Sequence, residues 1–106
     1  MRGTWRAIRR EGYRRRMTDD RVERVAAVLR QAGETHHAVY AIVDGDDPDW
    51  ATWYSDWLVN LSSLGEILGA TPVRSALTAL LVRAAAEPAD GPWDLAYARA
   101  IVAELG

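Results

Sequence analysis

His36 and His37 are the only imidazoles in the chain, and four aspartates follow closely in DGDDPD, residues 44–49. Nitrogen and oxygen ligands so near one another are the raw material of a divalent metal site. Adjacent histidines on a helix diverge by about 100°, however, and only His37 shares a face with Asp44. That pair is the candidate metal set. Neither HExxH nor HxxxH occurs, and the acidic turn lacks the alternating ligands and closing glutamate of a calcium loop. No metal and no cofactor is therefore expected.

Acid–base chemistry needs an imidazole or carboxylate in a concave, partly dry site. His36, His37 and Asp56 are the candidate catalytic residues. Asp56 stands among Trp53, Tyr54 and Trp57 and, if buried, needs Arg74 or Arg83 opposite; on a polar helix face it is simply a solvated charge. Ser55, Ser62, Ser63 and Ser75 lack a nucleophile elbow, and the phosphate loops GxGxxG and GxxxxGK are absent. The lack of cysteine removes disulfides, thiol nucleophiles and cysteine-ligated metals.

The segment DWATWYSDWLVNL, residues 49–61, concentrates aromatic rings. At helical period Trp50, Trp53, Tyr54, Trp57, Leu58 and Leu61 form one apolar wall, with Asp49, Thr52, Asp56 and Asn60 opposite. Such a stripe first predicts core, because eighteen alanines and no phenylalanine leave tryptophan to supply bulk. Its second reading is an interface, for which Trp50, Trp53, Trp57 and Arg74 are the candidate binding residues. Trp50, beside the acidic turn, is expected to be the most exposed ring.

Charge divides the chain. Residues 1–16 carry seven Arg and one Glu, and residues 17–106 carry six Arg and fourteen acids, so the net charge of −2 sums an arm of +6 and a body of −8. Arg6, Arg9, Arg10, Arg14, Arg15 and Arg16, interleaved with Trp5, Ile8 and Tyr13, are the candidate contacts to nucleic acid or an anionic membrane. The acidic body repels the same phosphates, so nucleic acid is not the favoured partner. Met17, followed by TDDRVERV, resembles a natural start, with the arm an upstream or mobile extension. Thirteen arginines without a lysine suit a GC-rich bacterial genome.

The elements that must position these residues are helical. Val22, Val25, Ala26, Val28, Leu29 and Ala32 predict a helix over 19–32, opened by Asp20 and Glu23 at capping-box spacing and ended by Gly33. Thr35 is placed to cap a second helix over HHAVYAIVD, where Val, Ile and Tyr also suit a strand. Pro48 predicts the first position of the Trp helix, which runs to about Asn60. Ser63 and Glu66 bracket the turn LGEIL, closed by Gly69. Thr71 and Pro72 open a helix over 72–86 with Val73, Leu77, Leu80, Leu81 and Ala84 on one side. Trp93, Tyr97, Ile101 and Leu105 stripe a final helix.

The expected fold is therefore all-α, a compact bundle of four or five short helices (17–106) with a basic arm (1–16). The expected function is a non-enzymatic interaction module, self-associating through its aromatic helix face. The alternative is a small helical enzyme or accessory subunit using His36, His37, Asp44 and Asp56 near one pocket. No apolar run reaches the ~18–20 residues of a membrane span, and the cytoplasm is the default location.

Overall fold

The apolar positions of residues 22–32 recur at three- and four-residue intervals, and in the computed structural model they lie on a helix that does not stop at Gly33. The structure describes residues 2–88 and 91–106, with side chains from Thr18 onward. Helix α1 spans Arg2–Val39 and a short 3-10 turn follows at Ala41–Val43. Then come α2 (Trp50–Leu61), α3 (Leu64–Leu68), α4 (Arg74–Ala86) and α5 (Trp93–Leu105). Among the described residues there is no strand, so the fold is an all-α helical bundle. The arginines of the expected arm, Arg6, Arg9, Arg10, Arg14, Arg15 and Arg16, have side chains that lie outside the described residues.

Several expected boundaries move. Asp20 and Glu23 cap nothing, because α1 begins well before them. Thr35 is inside α1, where its hydroxyl donates to the carbonyl of Gln31, one turn back. The expected helices 19–32 and 36–44 are thus one helix plus a 3-10 turn, and the chain leaves helical geometry at Asp44, whose φ is 56°. Gly33 fails to terminate α1 because helical propensity is a weak preference that tertiary packing overrides. A Cβ at Gly33 would sit 3.4 Å from the Trp93 ring and 3.6 Å from the Tyr54 hydroxyl, so both aromatic side chains rest against nearly bare helix backbone there.

The Trp helix starts at Trp50, two residues after Pro48. Ser63 makes no capping bond; Ser62 Oγ instead accepts the Leu64 N–H at 3.1 Å. Gly69 does close α3, in the left-handed region at φ 88°. Arg21 from α1 donates to the carbonyls of Ile67 at 3.2 Å and Leu68 at 2.8 Å, satisfying acceptors that so short a helix leaves open. Helix α4 begins at Arg74 rather than Pro72, with Val73 as its extended flanking residue.

The core joins one face of every helix. Leu29, Leu58, Leu64, Leu77, Leu80, Leu81 and Ile101 are essentially sealed from water, and each contributes on the order of 1.5–3 kcal/mol by burial. Helix α1 packs chiefly on α5, and α2 chiefly on α4. On α2 the sealed seam is Ala51, Ser55 and Leu58, about a quarter of a turn from the expected aromatic wall. Small residues let α2 approach α4 closely. The Ser55 hydroxyl donates to the Ala51 carbonyl at 2.8 Å and lies 2.8 Å from Thr78 Oγ1, so the buried oxygen is satisfied. Trp50, Trp53, Tyr54 and Trp57 flank the seam half-buried against the core, whereas Leu61 stands in water.

Arg30 of α1 clamps Asp94 in the first turn of α5, with Nη1 2.6 Å from Oδ2. The Arg30 guanidinium holds the Asp94 carboxyl below the ordinary carboxylate range, against the opposing effect of burial. Because the folded pKa is depressed, the stabilisation is present above the unfolded value and is lost as pH falls through the folded one. Asp94→Asn is expected to cost about 1–2 kcal/mol near neutral pH, as measured by denaturant unfolding, and the gap should close in strong acid. Gly33→Ala is expected to stabilise by roughly 0.5–1 kcal/mol, since alanine favours a helix interior; a loss of stability would place a break there instead.

Candidate functional site

Beyond Gly33, the inward face of α1 carries His36, and Tyr40, just past the end of the helix, continues its spacing; both reach the amino end of α2. The His36 ring stacks on Tyr40 with centroids 4.6 Å apart and on Tyr54 at 5.2 Å. It meets Trp53 edge-on at 5.0 Å. Its Nε2 lies 2.9 Å from Oδ2 of Asp47, with 13% and 6% of the two side chains exposed. Water therefore competes little for this hydrogen bond. The other carboxylate oxygen of Asp47 accepts the Asp49 N–H at 3.1 Å, and the Asp47 carbonyl accepts the Trp50 N–H at 3.2 Å. One residue of the acidic turn thus fastens α1 to the start of α2.

His36 also lines a cleft of about 310 Å³. Leu29 and Leu81, both buried in the core, contribute its aliphatic lining, and Trp50, Tyr54, Trp93 and Tyr97 its aromatic lining. The rings contact one another in sequence. Tyr54 meets Trp50 edge-on at 6.1 Å, Trp50 meets Tyr97 at 6.5 Å, and Tyr97 meets Trp93 edge-on at 5.9 Å. The circuit closes at Gly33, where Trp93 and the Tyr54 hydroxyl approach the same backbone. Burial pushes the phenol of Tyr97 up, and burial followed by the proximity of Tyr97 and Asp47 pushes that of Tyr54 up. Both hydroxyls stay protonated through the physiological range and can donate hydrogen bonds.

The residues singled out in the sequence are dispersed. His37 is exposed and borders a neighbouring groove with Arg30, Gly33 and Glu34. Asp44 is exposed just after the 3-10 turn. Among the described residues no group of three or more His, Asp or Glu side chains could hold a metal ion. Asp56 pairs with Arg74 at 2.7 Å, the partner that burial would demand, yet the side chains are 45% and 60% exposed. Such a pair adds little stability and stands apart from the cleft lining. Of the candidate binding residues, Trp50 lines the cleft, Trp53 supports His36, and Trp57 packs on the core. The indole most open to water among those described is Trp93, at 44%, rather than Trp50.

Tyr40, Asp47, Trp93 and Tyr97 were not legible as site residues. The signal was nevertheless present, since Val25, Leu29, Ala32, His36 and Tyr40 continue one stripe across Gly33, and Trp93 and Tyr97 are one turn apart. Burial, then the charges of Asp47 and Asp49, raise the Tyr40 phenol above its ordinary value. Asp47→Asn is expected to lower the Tyr40 pKa toward that value without restoring it fully, because burial remains. Phenolate absorbance during alkaline titration, with Tyr40→Phe identifying the transition, measures this shift.

Comparison with protein-family models, with curated proteins and with solved structures finds no match for this chain.

Proposed function

We propose that the protein is a non-enzymatic binding module that meets its partner with the end of the bundle formed by the cleft and the 3-10 turn. One observation carries this reading. Ile42 is 96% exposed and its neighbours Val39 and Val43 are 58% and 51% exposed, while Tyr40, from the same turn, packs inward. Three exposed apolar side chains within five residues contribute little to the core, and exposed apolar groups near an aromatic cleft suit a contact site.

A second copy of the chain is the partner best supported by charge. Helix α1 has 38 residues and is therefore about 55 Å long, so its arginine-rich start lies far from the acidic turn that follows its other end. An antiparallel pairing of two copies brings +6 to each acidic turn without moving either helix. The bundle end that carries Ile42 then lies within the same contact.

The alternative reading as a small enzyme draws on the His36–Asp47 pair, which has the form of an oriented base. Stacking on Tyr40 and Tyr54 suits a structural imidazole equally, and the other expected participants, His37, Asp44 and Asp56, do not line the cleft.

Sedimentation equilibrium is expected to show a concentration-dependent dimer that weakens with salt. Ile42→Asp should dissociate it at least tenfold more readily while leaving the melting temperature within a degree or two, as suits an exposed position. A strict monomer across the accessible concentration range contradicts self-association.

A further inference from the structure

The geometry points to the aromatic cleft as a receptor for a methylated ammonium group, an inference that rests on reading this end of the molecule as a binding surface. Four neutral rings, Trp50, Tyr54, Trp93 and Tyr97, follow one another around the opening, and both Trp–Tyr contacts at its two sides are edge-on. Each of these rings carries an electron-rich face. That face attracts cations, and most strongly cations too poorly hydrated to prefer water. Leu29 and Leu81 border the cleft while nearly sealed from water, and neither offers an acceptor to an ammonium N–H.

Charge points the same way. His36 is the one lining residue with a basic nitrogen, and its Nε2 is engaged with Asp47, whose carboxylate adds negative potential beside Tyr54. Arg30 borders the adjoining groove and is held by Asp94 at 2.6 Å. No arrangement of donors in the cleft suits an anion: the phenols and indoles are single, unclustered N–H and O–H groups without a paired cation.

The cleft volume of about 310 Å³ lies at the lower end of small-ligand sites and admits a methylated ammonium headgroup. The ammonium can belong to a free solute such as choline or to a trimethylated lysine side chain, and the chemistry recognised is the same. The groove bordered by Glu34 and His37 adjoins the cleft through Tyr54 and Trp93, so a chain attached to the headgroup has a path outward.

Tryptophan fluorescence of the full chain, titrated separately with choline, with N-acetyl-trimethyllysine amide and with the neutral choline isostere 3,3-dimethylbutan-1-ol, tests this directly. At least one of the two cations is expected to bind about five- to thirtyfold more tightly than the isostere, with the tighter one naming the source. Trp93→Leu, at a partly exposed position, should weaken that cation by about three- to tenfold and move the isostere little, with circular dichroism unchanged. Equal binding of cation and isostere overturns the ammonium assignment while leaving an apolar binding cleft. Absence of binding by all three overturns the assignment as well. The dimerisation test depends on Ile42, outside the cleft, so its result separates failure of the ligand class from failure of the interaction module.

Discussion

The structure depends on α1 passing through Gly33 without a break. A stop there, which glycine commonly signals, would send residues 34–40 in a new direction and remove His36 and Tyr40 from the amino end of α2. Continuity keeps the stripe Val25, Leu29, Ala32, His36, Tyr40 on one face, so a single rigid element contributes both the core and the site. At the same position Trp93 from α5 and the hydroxyl of Tyr54 from α2 both come within contact range of α1, which closes the aromatic circuit.

Around that axis the bundle separates two kinds of contact. Where α2 faces α4, small residues are sealed, with the Thr78 hydroxyl donating to Ser55 Oγ where large side chains would hold the helices apart. Where α2 faces α1 and α5, large rings meet edge to face and stay partly wet. The first contact fixes the helix positions by close packing, and the second borders the cleft. Ion pairs add orientation. Arg30–Asp94 ties α1 to α5 beneath partial cover, whereas Arg74–Asp56 and Arg83–Glu104 lie at the surface and contribute little.

Periodicity made the helices and most of the core readable: Val22 to Ala32, Leu77, Leu80, Leu81 and Ile101 are buried as their spacing implies. Local rules failed where tertiary contact outweighed them, at Gly33, at the unused caps of Asp20, Thr35 and Ser63, and in the register of α2. There, hydrophobicity placed the inward face at the tryptophans, but closeness to α4 selects for small volume and seals Ala51 and Ser55. The site was less readable than the fold because its members come from three helices and a turn. Asp47 could not be distinguished from Asp44, Asp46 and Asp49 by sequence, since only its distance to His36 sets it apart. The ridge at Ile42 was invisible for the opposite reason, because valine and isoleucine are expected inside.

The cleft is the proposed binding surface. Its polar groups are protonated phenols, indole N–H groups and one imidazole already engaged, so it offers shape and polarisable faces more than a proton relay. Nuclear magnetic resonance of residues 28–40 tests the central claim most directly. Helical Cα shifts uninterrupted across Gly33, with nuclear Overhauser contacts from the His36 ring to Tyr54 and from Trp93 to Gly33, are the predicted result. Coil-like shifts at residues 33–35, or a His36 ring without contacts to α2, would contradict it.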